Sequence, residues 1–432
     1  MSHSQQNPAF RPVSLGESAT IPTHSLQALA ASTAAAQVFV TPLWHEPSAT
    51  SGVLHNVAVS IKDLYDTAGH VTTAGSRALR HSPPAGADAP VVARLRAAGA
   101  RLIGRTNMSE FAYSGVGFNP HYGTPVNPCD SAVARIPGGS TSGGAVSVAL
   151  GLAGAALGSD TGGSVRIPAA LCGVVGYKCT QSLVPLQGSV PLSSSQDTAC
   201  AITSRVADAV TIHNVMADVR LTPIVKKPEQ LRFAISSNYL CDDLDATVAR
   251  AYTRSLQALR DAGCTLIERA FPPLDELTTL MSKGGFSAAE SYAYHAHTLS
   301  TQRHLIDPRV LVRIDRGATQ SLADYLHLIA ARARWIAGMN ALLADVDALL
   351  CPTVPIVAPP IALIEQSMEA FSEINAQLLR NTMLGNFLDG CSISLPCHTN
   401  GELPVGLMLT APRLHDAQLL GAALAVEKVL AA

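Results

Sequence analysis

The chain has 432 residues, 47% hydrophobic and 14% charged, with a formal net charge of −2. That is ample apolar material for a large core and argues against a disordered chain. Without any Lys/Arg block there is no footprint for nucleic acid or an acidic membrane surface, so a small or neutral substrate fits better.

Nine cysteines, an odd number with no Cys-x-x-Cys pair, sit partly inside apolar runs such as Ala170-Leu171-Cys172-Gly173. This usage predicts reduced, buried thiols. The first residues are polar, and no stretch reaches the roughly 18 uninterrupted apolar residues of a membrane helix. A cytoplasmic location is expected.

In chain order, residues 1–25 are rich in Ser, Thr and Pro and predict an irregular arm, followed by a short Ala-rich helix over 26–36. From Val57 onward, short apolar runs alternate with helical periodicity, the pattern of an α/β fold whose sheet is covered by helices. Residues 57–61 read as a buried strand. Asp88 is placed to cap a helix with Pro90 in its first turn; Val91, Val92 and Leu95 carry the helix, and Gly99 ends it before a strand over 101–104.

The same grammar recurs as a strand over 231–235, then a helix from Asp245 with Val248, Tyr252, Leu256 and Leu259 on one face. Gly263 ends it before a strand over 265–268. Apolar runs at 392–395 and 405–410 precede a terminal helix carrying Leu419, Leu420, Ala423 and Leu430. No internal repeat or Gly/Ser linker is visible. The chain therefore reads as one domain, 1–432: a core over 54–205, a more charged and helical segment over about 216–345 that would form a lobe over the site, and a C-terminal part over 346–432.

Residues 137–168 carry the chemistry. Two glycine loops, Pro137-Gly-Gly-Ser140-Thr-Ser142 and Ser159-Asp160-Thr161-Gly162-Gly163-Ser164-Val-Arg166, flank an Ala/Val/Leu segment. Consecutive glycines can present backbone N–H groups to a negatively charged tetrahedral intermediate, so Thr161, Gly162 and Gly163 would supply an oxyanion nest. Neither loop has the Gly-x-Ser-x-Gly elbow of a histidine-dependent hydrolase. Something other than histidine should activate the serine. Lys62, at the end of an apolar run, can lose its proton near neutral pH if the strand is buried, and so act as general base.

Together these segments resemble the amidase signature family of Ser-cisSer-Lys hydrolases. The resemblance covers nearly the whole chain, including Gly104–Ala112, Tyr122–Pro128, Gly176–Lys178, Leu350–Thr353 and Leu403–Leu407. It implies a single α/β domain with a central mixed twisted sheet and helices on both faces. It also implies a triad of Lys62, the bridging Ser140 and the nucleophile Ser164. Ser140 and Ser164 lie 24 residues apart, the family's spacing, which selects Ser140 over Ser142 as bridge.

The implied reaction cleaves a small amide or urea-like substrate through an acyl-enzyme and releases ammonia or an amine, with no metal or other cofactor. Ser142 and Asp160 would support the site by hydrogen bonds. Arg166 would bind a substrate carboxylate or, the better expectation, pair with Asp160; Lys178 would be a scaffold contact. Tyr113, Gly115 and Asp197 are expected to line the pocket. For Ser164 the bland alternative is a helix N-cap. His295 and His297 lie two apart, which on a helix puts them on different faces, so no metal site is expected.

Some positions depart from the family's pattern: Thr141, Cys179 after Lys178, Asn56 and Ala58 before the lysine, and Ser204-Arg205 in reversed order. None touches the triad. A second enzymatic reading is the glutaminase subunit of a tRNA-dependent amidotransferase. A third, an inactive binding protein on the same fold, would be expected to have lost triad residues, and all three are retained. By analogy with relatives, a homodimer is expected.

Overall fold

The apolar runs become strands because each is short and bounded by glycine, proline or polar turns. The computed structural model describes residues 10–432. Its strands are β1 (Phe39–Pro42), β2 (Ala58–Lys62), β3 (Arg101–Thr106), β4 (Ala155–Asp160), β5 (Val175–Lys178), β6 (Thr198–Thr203), β7 (Arg232–Ser236), β8 (Thr265–Arg269), β9 (Ala348–Pro352), β10 (Cys391–Pro396) and β11 (Gly406–Ala411). All eleven join one sheet in the order β1-β3-β2-β4-β6-β5-β10-β11-β9-β7-β8. β2 runs parallel to β3 and β4, and β7 parallel to β8 and β9. The other pairings are antiparallel, so the sheet is mixed.

Successive residues of a strand point to opposite faces. In β9, Ala348 and Leu350 join the core that holds Leu419 and Ala423 of the helix Asp416–Leu430. Leu349 and Cys351 instead join Trp335 and Met339 of the helix Leu322–Leu343 and Phe387 of the helix Met368–Phe387. Helices thus cover both faces, which is why central strands such as β4, β6 and β11 are buried along their whole length. The helix Ala246–Asp261 begins where Asp245 accepts a hydrogen bond from Thr247 N (2.7 Å), and Val248, Tyr252, Leu256 and Leu259 are its buried face.

Several expectations need correction. Residues 10–25 are not an irregular arm, because Ser14 and Glu17 form a capping box on the helix Leu15–Thr20. Residues 1–9 lie outside the described residues. The helix predicted over 26–36 is Thr23–Ala30 plus a 3₁₀ turn, Thr33–Ala35; the Ser32 hydroxyl donates to Leu29 O (2.6 Å) and draws the backbone out of the helix. Asp88 does not cap the helix Pro90–Ala97, whose N-cap is Ala89. Its carboxylate is taken by Ala68 N (2.8 Å) and by Arg96 Nε (2.9 Å).

Residues 216–345 supply strands as well as helices. Their strands β7 and β8 complete one edge of the sheet, and their helices pack back onto that sheet through Phe271, Leu274, Phe286 and Trp335.

Candidate active site

Because β2 and β4 run parallel, their carboxyl ends open at the same edge, the place where open α/β sheets hold ligands. Lys62 ends β2, and Ser159 and Asp160 end β4. Lys62 Nζ lies 2.7 Å from Ser140 Oγ, 2.8 Å from Ser159 Oγ and 3.4 Å from Ser159 O. Lys62 and Ser140 are fully buried, at 0% exposure. Burial pushes the Lys62 ammonium down to about 7, against the upward pull of Asp160 and Asp197. The strand that buries the lysine is therefore what weakens its hold on a proton.

Backbone hydrogen bonds fix the loop that carries Ser140. Gly139 N donates to Gly115 O (2.8 Å), Ser109 N to Ser140 O (3.1 Å), and Thr141 N to Ser164 O (3.1 Å). The Gly139–Ser140 peptide is cis. Gly117, at φ +83°, packs so closely that a Cβ there would lie 2.2 Å from Gly138 O. Only glycine fits that approach.

Ser164 is not a helix cap: the following helix is Arg166–Leu171, with Val165 in the N-cap position. It keeps 4% exposure beside two fully buried partners. Among the described residues no hydrogen bond joins Ser164 Oγ to Ser140 Oγ; the two serines are linked only through the Thr141 amide. Among the described residues the Ser164 hydroxyl has no hydrogen-bond partner.

The glycine nest also differs from expectation. Gly163 N donates to Asp160 Oδ1 (2.9 Å), so this N–H is engaged by the carboxylate three residues upstream. Among the described residues the N–H groups of Thr161, Gly162 and Ser164 have no acceptor.

Asp160 is the hub of this loop. It accepts from Gly163 N, Val165 N (3.1 Å), Arg166 Nε (3.1 Å) and Nη2 (2.9 Å), and Asn386 Nδ2 (3.0 Å). Burial alone would push its carboxyl up, but the Arg166 guanidinium and these bonds outweigh that and hold it at about 2. Arg166 is itself fully buried and gives two further donors to Asn386 Oδ1 (2.6 Å) and Met408 Sδ (3.3 Å). Buried and paired with Asp160, it holds the loop.

The remaining predicted residues surround this core. Asp197 accepts from Thr161 Oγ1 (2.6 Å), Leu192 N (3.0 Å) and Ser193 N (3.1 Å), and burial pushes its carboxyl up to about 6. Ser142 Oγ donates to Asn107 O (3.2 Å). Tyr113 is buried with the Arg313 guanidinium 4.7 Å above its ring. Side chains placed at Gly115, Gly162 or Gly163 would meet Ile167, Leu379, Met383 or Thr382, so these glycines pack against one set of side chains. Lys178 Nζ donates to Gly390 O. His295 is buried against Phe111 (ring centroids 4.1 Å apart) while His297 is exposed.

Sequence reasoning missed Ser159 and Asn386. Ser159 had a signal, a hydroxyl ending an apolar run beside Asp160. Asn386 had none, being brought to Asp160 only by the packing of a helix 226 residues away.

The sheet and the loops at its edge define a hydrolase of mixed α/β fold that acts on amide carbon–nitrogen bonds. The chain belongs to the amidase family, whose model, described as Amidase, matches residues 18–420. It is 36% identical over 384 residues to 2-amino-5-chloromuconic acid deaminase of Comamonas testosteroni, covering 88% of this chain and 82% of that one. It is 32% identical over 416 residues to the A-type subunit of glutamyl-tRNA(Gln) amidotransferase of Koribacter versatilis, covering 88% and 85%. A solved amidase structure superposes with a TM-score of 0.79 at 32% identity, over 87% of this chain and 85% of the other.

Proposed function

We propose that the chain hydrolyses a small amide or urea-like substrate through an acyl-enzyme on Ser164, with Lys62 as base and Ser140 as proton relay. The observation that carries this reading is the fully buried Lys62 amine, 2.7 Å from Ser140 Oγ, with its pKa near 7. Ser164 Oγ attacks the amide carbon as its proton passes to Ser140 and the Ser140 proton passes to Lys62. The oxyanion forms against the N–H groups of Thr161, Gly162 and Ser164, each well-placed donor contributing about 3 kcal/mol. Reversal of the relay protonates the leaving nitrogen, which departs as ammonia or an amine. Water then attacks the ester by the same route, returning the serine and releasing the acid. The nine thiols form no disulfide, which supports a cytoplasmic setting.

The similarity to an amidotransferase component favours one other reading, a glutaminase that needs partner subunits. The test is a panel of amides, including glutamine, aryl amides and biuret, given to the purified chain alone while ammonia or amine release is followed. Turnover of a simple amide without partners supports the proposal. Ammonia release from glutamine only when partner subunits are added would replace it.

Ser159 makes a separate prediction. For the Lys62 lone pair to face Ser140, an amine N–H must point at Ser159 Oγ, which lies 2.8 Å away. Ser159→Ala should lower kcat by roughly tenfold, the loss of one hydrogen bond to a charged group of about 1.5 kcal/mol. The acidic limb of the kcat/KM profile, which rises as Lys62 loses its proton near 7, should move to lower pH because the ammonium loses an acceptor. Ser159→Thr should restore both. A limb that does not move would assign Ser159 a packing role only.

A further inference from the structure

The helix Met368–Phe387 is stitched to the loops of the site along one side. Asn375 Oδ1 accepts from Gly115 N (2.9 Å), Thr382 Oγ1 donates to Gly162 O (2.7 Å), and Asn386 Nδ2 donates to Asp160 Oδ1 (3.0 Å). These positions repeat at helical spacing and so share the side turned to the site. Leu379 and Met383 lie on that same side, one turn apart, and both are half-buried. Arg380, which follows Leu379, turns its Nε to Asn381 Oδ1 (3.1 Å).

The loop that carries Ser164 reaches solvent beside these two side chains. Thr161, Gly163 and Ser164 are buried, and Gly162 between them is half-exposed. A Cβ placed on Gly162 would lie 3.5 Å from Leu379 Cδ2 and 3.5 Å from Met383 Cγ, which is ordinary van der Waals contact. Apart from the glycine's chain neighbours, no other atom of the described residues would come within 4 Å of it. Leu379 also reaches the loop behind Ser140: its Cγ would lie 3.5 Å from a Cβ placed on Gly115, whose carbonyl accepts from Gly139 N (2.8 Å). The open side of the oxyanion loop is therefore walled by two apolar side chains. A polar group pressed against them gives up water without gaining a partner, whereas a hydrocarbon group gains by the same burial.

We propose that Leu379 and Met383 form a specificity wall for the hydrocarbon part of the substrate, so that aliphatic and aryl amides are preferred to glutamine and to urea-like compounds. This rests on amide hydrolysis at Ser164 and selects among the substrates which that reaction allows. Along acetamide, butyramide and hexanamide, kcat/KM should rise by about two- to fourfold per methylene. Leu379→Asn combined with Met383→Gln keeps the side-chain size and changes its polarity. It should lower the ratio of kcat/KM for hexanamide over acetamide by at least about tenfold, a ratio from which any general loss of activity cancels. Leu379→Met should keep the ratio. A ratio that is the same in all three forms, or faster turnover of glutamine or biuret than of hexanamide, overturns the proposal.

Binding separates this proposal from the chemistry it rests on. The same three amides are titrated by NMR into Ser164→Ala protein, with and without the two wall substitutions. Affinity should increase with chain length, and the increase should vanish when the wall is made polar. If the protein hydrolyses none of the amides but binds them in this way, the acyl-enzyme reading falls and the wall stands. Hydrolysis with no dependence on chain length in either measurement sinks the wall and leaves the acyl-enzyme reading. Neither binding nor hydrolysis overturns both.

Discussion

Ser164→Ala is expected to lower kcat/KM by about 10⁴-fold or more, and Lys62→Met combined with it to cost almost nothing further, because groups that pass one proton act as a unit. Lys62→Met alone should lose at least roughly a hundredfold and should abolish the acidic limb near pH 7. The measurement is steady-state hydrolysis of the best amide from the panel, with circular dichroism to show that each variant is folded. Met fills the space of the Lys62 stem in a fully buried strand, so loss of activity in a folded variant reports on the amine. Additive losses in the double variant would mean that the two residues do not share a relay. Wild-type turnover by Ser164→Ala would remove it as nucleophile.

Asp160→Asn is expected to be the most destabilising substitution near the site, costing about 3–5 kcal/mol because it leaves the Arg166 guanidinium buried without its counterion. Both side chains are fully buried and 2.9 Å apart. The double variant Asp160→Asn with Arg166→Met should recover part of that stability, since it removes the orphaned charge together with its partner. It should not recover activity, because Gly163 N and Val165 N would still have lost the carboxylate that shapes the Ser164 loop. Urea unfolding followed by tryptophan fluorescence reads the first effect and hydrolysis the second. A loss under about 1 kcal/mol in the single variant would contradict a buried pair of this kind. The sign of the pH dependence follows from the same pair: the folded pKa, about 2, lies below the ordinary 3.8. Asp160 therefore adds stability that is fully present above about pH 4 and is lost as pH falls through 2.

The sequence by itself determined the strands, the helix faces and the loops that carry the hydroxyls, because these depend on local periodicity and turn chemistry. Val248, Tyr252, Leu256 and Leu259 repeat at helical spacing and are the buried face of their helix. The run before Lys62, apolar but for Ser60, is buried on both of its faces. Glycines in the loops around Ser140 and Ser164 mark backbone approaches that no side chain permits, as at Gly117.

Where two local signals competed, the sequence did not decide. Asp88 was a plausible cap, but a loop amide and Arg96 took its carboxylate. Gly163 was a plausible oxyanion donor, but Asp160 took its N–H. The assembled sheet decided which distant groups meet: Ser159 beside Lys62, Asn386 against Asp160, and Arg313 over Tyr113. The reason is physical. Periodicity records which face of an element is buried, whereas a hydrogen bond or an ion pair depends on distance to another element, and that distance exists only once the sheet has assembled around both.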